Sequence, residues 1–145
     1  MDLGADVAAM LAGTKPLPDY DRRMGFRLVS ASADGAVMQA DVAAGAWANP
    51  TGVLHGGVLM GLADSAMGMT MCAMLGPGKA GTNVDLNVRF LRPTKATRLT
   101  ATARVVRRGR RTAVLECDVS DAAGKLVARA SSTFLLLDEA DFAQG

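Results

Sequence analysis

The chain has 145 residues, half of them hydrophobic and only 4% aromatic, so it is read as one domain whose core is filled by Val, Leu, Ala and nine Met. Sixteen basic against fourteen acidic residues leave a net charge of +2, which excludes the strong electrostatic footprint of a nucleic-acid binder. One histidine and two cysteines, Cys72 and Cys117, exclude a zinc set or a disulfide framework; both thiols sit in apolar runs and are expected to be reduced.

In chain order, "DVAAMLAG" reads as a short amphipathic helix closed by Gly13, serving as a lid or an edge cover, and Pro16 and Pro18 mark a linker after it. The opening residues are acidic and lack a signal-peptide core, so the cytoplasm is the expected compartment. "GFRLVSASADGAVMQADVAA" holds two strands around an Asp-Gly turn. From about Gly56 to Leu75 the residues are apolar on every side, with Pro77 and Gly78 as stop signals, which predicts a buried helix roughly 30 Å long. A membrane span has a similar length, but four glycines, Asp64, Thr70 and the flanking strands favour a core helix. "TNVDLNVRFLRP", "TRLTATARVVRRG", "RTAVLECDVSD" and "KLVARASSTFLLLD" then alternate as four strands, with turns at "RRGRR" and "DAAGK". In the first of these, Val84, Leu86, Val88 and Phe90 face one way, and Asp85, Asn87 and Arg89 the other. The whole is an α+β antiparallel sheet wrapped on one helix: a helix and linker over 1–22, a single domain over 23–138 and an acidic tail over 139–145. The amount of apolar surface on so short a chain points to an oligomer.

"HGG" at the mouth of the central helix places glycine amides where a ligand or backbone can approach, and unpaired N–H groups of a first turn can polarise a carbonyl oxygen. The same glycines also suit a tight strand-to-helix entry. Asp64 is the stronger signal, because it is the only charged residue between His55 and Lys79 and an unpaired buried charge is costly. It lies nine residues after His55, roughly 13 Å further along and nearly opposite on the helix. Within one chain it cannot reach a carbonyl held at that chain's own helix N-terminus. If both groups serve one reaction, a neighbouring subunit supplies one of them, and a two-fold dimer would form two such sites.

"NPTGVLHGGVLMGLAD", followed by "GTNVDLNVRFLRP", resembles the hotdog-fold acyl-coenzyme A thioesterases of the PaaI type, with matching element order from about residue 20. The resemblance implies a homodimer pairing its sheets side by side, or a homotetramer built from two dimers, that hydrolyses acyl-CoA thioesters. It implies Asp64 as general base or nucleophile across the interface, a Gly56 or Gly57 amide on the thioester carbonyl, Asn49 holding substrate or water, and His55 supporting the loop. The position near the third strand that often holds a water-positioning Ser or Thr falls here on Thr82 or Asn83. Coenzyme A enters only as part of the substrate, with no separate cofactor or metal, and neither nucleic acid nor membrane is an expected partner.

Lesser features complete the reading. Ser65 either bonds the carboxylate or water, or packs as a small residue. Met60, Met67, Met69, Met71 and Met74 either shape an acyl pocket or fill the core. Arg107, Arg108, Arg110 and Arg111 either meet coenzyme A phosphates or form a solvated hairpin tip. Trp47 is expected to anchor the loop before Asn49. The rival activities are a hydratase or dehydratase of acyl thioesters on the same scaffold and a non-catalytic acyl-CoA binder.

Overall fold

The computed structural model describes residues 1–43, 45–95 and 97–143. Two helices come first, α1 (Leu3–Leu11) and α2 (Asp19–Arg23). They precede β1 (Phe26–Ala31), β2 (Gly35–Asp41) and the long α3 (Gly56–Met74). Five strand segments follow, β3 (Lys79–Asn83), β4 (Asn87–Phe90), β5 (Arg98–Arg108), β6 (Thr112–Asp121) and β7 (Leu126–Asp138), and a short α4 (Glu139–Phe142). All strands join one antiparallel sheet in the order β1-β2-β5-β6-β7-β3, with β4 also paired to β7. This is the hotdog arrangement, a curled sheet around a central helix.

The reason lies in α3. Its buried residues, from Val58 and Met69 on one flank through Leu59, Leu62 and Thr70 to Met67 and Met71 on the other, span roughly 220° of its circumference at 100° per residue, so no single flat face could cover them. The strands supply the cover by alternation: in β6, Ala113, Leu115, Cys117 and Val119 face the helix while the residues between them do not. Thr70, buried mid-helix, returns its hydroxyl to the Ala66 carbonyl at 2.9 Å. By length and hydropathy α3 could span a membrane, yet it lies enclosed by this sheet.

Three elements differ from the sequence reading. The single strand expected from residue 82 onward is split into β3 and β4 beside the thirteen-residue β7. Asp85 is the cause: its side chain accepts from the Thr133 N–H at 2.8 Å and its carbonyl from the Ser132 hydroxyl at 2.7 Å, so a side chain takes a ladder position and the strand is interrupted. Leu86 and Val88 still pack on the core, but Val84 is 62% exposed and leaves the expected apolar face. The second difference is α2, a helix within the region read as linker, begun after Pro18. Third, α1 starts earlier than expected, with Asp2 capping it through the Ala5 N–H, and it packs along α3 with Val7 buried. Gln144 and Gly145 of the acidic tail lie outside the described residues; before them, Glu139 pairs with the N-terminal amine.

Leu62 is fully enclosed at the centre of α3. Replacing it with alanine is expected to lower the unfolding free energy by about 2–5 kcal/mol in a urea titration. A loss under ~1 kcal/mol would mean that α3 is not the packing centre.

Candidate active site

The expected site residues fall into two separate groups, at different places along α3. At its N-terminus, His55 is the cap: its ring Nδ1 accepts the Gly57 N–H at 2.9 Å, and its own N–H donates to the Trp47 carbonyl at 2.7 Å. The acceptor role at Nδ1 leaves the proton of a neutral ring on Nε2. A Cβ on Gly57 would lie 3.0 Å from that ring, and one on Gly56 would lie 2.8 Å from the Phe90 ring, so each glycine leaves room for an aromatic side chain at this terminus. Gly57 donates inside the chain. Gly56 N–H, by contrast, meets no acceptor among the described residues.

Asn49 stands beside this terminus. Its side-chain oxygen accepts from the Thr51 N–H at 2.9 Å and the Thr51 hydroxyl at 2.7 Å, an Asx turn that shapes the loop. The carbonyl end of the amide is therefore committed, and only its NH₂ is left for a ligand. Asn49, Gly56 and Phe90 line a cavity of about 440 Å³. Trp47 ties the loop through its backbone carbonyl rather than by ring burial; it has φ of 56° and a ring half exposed to solvent.

Asp64 lies two turns further along α3, roughly 12 Å from Gly56 along the axis. It is half-buried, and Asn83 on β3 donates its amide to Asp64 Oδ1 at 2.9 Å. Thr82, Asn83 and Ser65 line the same cavity, about 280 Å³, together with Met69 and Met71. Of the five α3 methionines, Met67 and Met74 are core and Met60 is exposed, so two of the five shape this space. Ser65 does not bond Asp64. Its hydroxyl donates to Asp21 Oδ1 at 2.5 Å.

Asp21 is the residue that sequence reasoning missed. It sits on α2, 3% exposed, and lines the Asp64 cavity. No periodicity could have found it, because five residues of α2 show no face of their own; only docking on α3 reveals one. Burial is the main reason that Asp64 binds its proton more tightly than an ordinary carboxyl, with the Asp21 charge adding to it and the Asn83 hydrogen bond opposing. Asp21 shifts the same way, again through burial, opposed by the Ser65 hydroxyl. The thiols are raised by burial too, Cys72 to about 11 and Cys117 to about 12. Among the described residues no group of three or more His, Cys, Asp or Glu is placed to hold a metal ion.

Comparison with known proteins adds a family. A profile of the thioesterase superfamily matches residues 51–128. The chain is 31% identical over 121 residues to acyl-coenzyme A thioesterase 13 of Mus musculus, covering 81% of this chain and 84% of that one. It is 31% identical over 104 residues to the 1,4-dihydroxy-2-naphthoyl-CoA hydrolase of Listeria monocytogenes, covering 72% and 84%. The structure of the E. coli PaaI protein from the phenylacetic acid degradation operon superposes with a TM-score of 0.79 at 26% identity, covering 93% of this chain and 96% of that one. Two further relatives, from Haemophilus influenzae and Saccharolobus solfataricus, are matched over 56% and 58% of their own length.

The raised carboxyls have a consequence for stability. A carboxyl that holds its proton more tightly when folded contributes stability below its unfolded pKa of about 3.9, and that contribution is lost as pH rises through the higher folded value. Asp21→Asn keeps an oxygen for Ser65 and removes the charge. Its stability relative to wild type is therefore expected to be more favourable at pH 7 than at about pH 3, measured by urea unfolding at both. A difference independent of pH would show that Asp21 titrates alike folded and unfolded.

Proposed function

This chain belongs to the thioesterase superfamily, and from that premise we propose that it hydrolyses acyl-CoA thioesters to free acid and coenzyme A, with Asp64 as the reacting carboxylate at a site shared by two subunits. The observation that carries the reading is Asp64 itself: a carboxylate in a largely apolar cavity, with one amide donor and no cationic residue lining the space. Such a group is a strong base or nucleophile held at low solvation.

Two routes use it. As a base, Asp64 takes a proton from water while the water oxygen attacks the thioester carbonyl. The tetrahedral oxyanion then collapses with cleavage of the C–S bond, and the proton passes to the leaving thiolate. As a nucleophile, it attacks the carbonyl and expels the thiolate to give a mixed anhydride, which water hydrolyses. Either way negative charge grows on the carbonyl oxygen, and an N–H at a helix N-terminus stabilises it. Gly56 suits that role better than Gly57, whose N–H is already engaged by His55. Asn49 would act through its NH₂, as a donor to substrate or water. Asn83, bonded to Asp64, orients the carboxylate, and Thr82 stands beside it to meet water or substrate.

Asp64 and Gly56 of one chain are too far apart to grip one carbonyl, so the reading requires a homodimer in which Asp64 of one subunit faces Asn49 and Gly56 of its neighbour. The free edge of the sheet supports this: β3 and β4 pair only with β7, and Val84, Phe90 and Leu91 near that edge are exposed.

Coenzyme A is favoured as the carrier by the other end of the same seam. The tip of the β5–β6 hairpin brings Arg108, Arg110 and Arg111 to a cavity of about 680 Å³ that also includes Leu75 and Lys79. None of these arginines pairs with a carboxylate among the described residues, whereas Lys79 pairs with Asp138. From Asn83 to Lys79 along β3 is about 13 Å at ~3.3 Å per residue. A pantetheine arm extends roughly 15 Å at the reach per bond of an extended backbone, enough to bring its phosphates to the guanidinium groups.

Asp64→Ala is expected to lower kcat about 10²-fold or more, with modest change in KM, in an assay that traps the released thiol across a panel of acyl-CoA substrates. Loss of an enoyl absorbance without thiol release would instead identify the hydratase reading. Mixing Asp64→Ala with Asn49→Ala chains should restore part of the activity through heterodimers holding one intact site, and no recovery after proven mixing would exclude a shared site.

The carrier has its own test. Replacing Arg110 and Arg111 together with alanine should raise KM for acyl-CoA about 3- to 10-fold while leaving the same acyl group on pantetheine unaffected. Equal effects on both substrates would place the phosphates elsewhere.

A further inference from the structure

Asp21 is the one charged group near the candidate site that the proposed reaction leaves without a task. It is almost wholly buried, pairs with no Lys or Arg among the described residues, and is met by the Ser65 hydroxyl. A buried carboxylate without a counter-ion opposes folding, and an uncharged side chain of the same size would fill the space at less cost. Its placement is nonetheless closely specified. A Cβ on Gly61 would lie 2.2 Å from the Tyr20 hydroxyl, so the bare backbone of α3 at Gly61 leaves room for the Tyr20 side chain of α2. The Tyr20 ring is also set edge-on to Phe26 at 6.0 Å between centroids. Gly61, Asp64 and Ser65 lie within one turn of α3. Docking against that turn therefore delivers Asp21 into the cavity of Asp64 and nowhere else.

We propose that Asp21 is a positioning residue for Asp64: seated on Ser65, it holds a second negative charge in the same cavity and so makes Asp64 a readier acceptor of the proton that thioester cleavage must remove. The Ser65 hydroxyl donates to Asp21 Oδ1 at 2.5 Å, which favours the charged form of Asp21 against the opposing effect of its burial. Asp64 then gains proton affinity from a like charge as well as from burial. The titratable groups facing Asp64 are Asp21 and Tyr20 from α2 and Cys72 from α3; β3 and β7 present uncharged Asn83, Thr82 and Phe134, and no Lys or Arg lines the cavity. Among the described residues Asp21 is thus the charged group that shares the cavity with it. It touches no reacting atom and works only through Asp64.

The inference rests on the hydrolase reading for its catalytic consequence, and its test has an arm that needs no substrate. In Asp21→Asn, which retains the oxygen that Ser65 bonds, the acid limb of kcat/KM for an acyl-CoA thioester should move to lower pH and the plateau should fall a few-fold. A purely structural role would lower activity with the limb unmoved, and that result would overturn the proposal. In the wild-type protein, carbon NMR of the two side-chain carboxyls should show coupled titrations, each curve carrying the inflection of the other. Two independent single-step curves would overturn the proposal even if the variant fails to fold. Absence of thiol release from every acyl thioester by wild type would sink the hydrolase reading alone, since the coupling is read without turnover.

Discussion

A helix whose buried residues cover most of its circumference has to be wrapped, and the enclosure of α3 organises the rest of the structure. A flat sheet would cover one stripe of it; a curled sheet of seven strand segments covers more, and α1 packs along part of the remainder. The same enclosure strips water from whatever polar group the helix carries. Asp64 is half-buried because the helix that bears it must be buried, so the raised proton affinity of the carboxylate follows from the packing requirement of its element.

Enclosure is incomplete along the seam between α3 and β3. There the side chains thin out: Gly68 and Gly81 line the gap, and a Cβ at Gly81 would press on Met71 at 2.8 Å. Asn83 crosses the seam to Asp64, and α2 covers its outer side with Asp21. Two carboxylates in one small space would repel, and the structure meets this with separate donors, Ser65 for one and Asn83 for the other. Away from the seam the acids are treated differently. Asp41 lies between Arg98 and Arg27, and Asp118 beside Arg129, and both are held below the ordinary carboxyl range by those guanidinium groups. Asp21, buried and without a counter-ion among the described residues, and the half-buried Asp64 lie together where the candidate chemistry is, the arrangement expected where stability is given up for reactivity.

The geometry of a straight helix adds a second constraint. A donor at its first turn and a carboxylate two turns later cannot converge, so each chain keeps two separate groups: Asn49 and Gly56 at one cavity, Asp64 and Asn83 at another. Under the shared-site proposal the exposed β3–β4 edge is where a second copy would join them. Gly56 and Asp64 lie on α3 and Asn83 ends β3, while Asn49 sits in the β2–α3 loop and is held there by its Asx turn.

The periodic features of the amino-acid sequence determined the α+β class, the burial of most of the central helix and most of the strands, because alternation and apolarity are local properties of side chains. His55, Gly56, Gly57 and Asp64 were legible for the same reason: a glycine pair at a helix mouth and a lone charge in an apolar run stand out wherever they fold. Tertiary structure decided what depends on neighbours distant in the chain. The split of the third strand follows from Asp85 meeting Thr133 and Ser132, and the choice of Asn83 as partner of Asp64 follows from the register of β3 against α3. The commitment of Gly57 to the His55 ring follows from a side-chain rotamer. Asp21 was invisible beforehand because a five-residue helix has no periodicity to read, and its burial arises only when Tyr20 enters the niche at Gly61 and brings the carboxylate against Ser65, forty-four residues away.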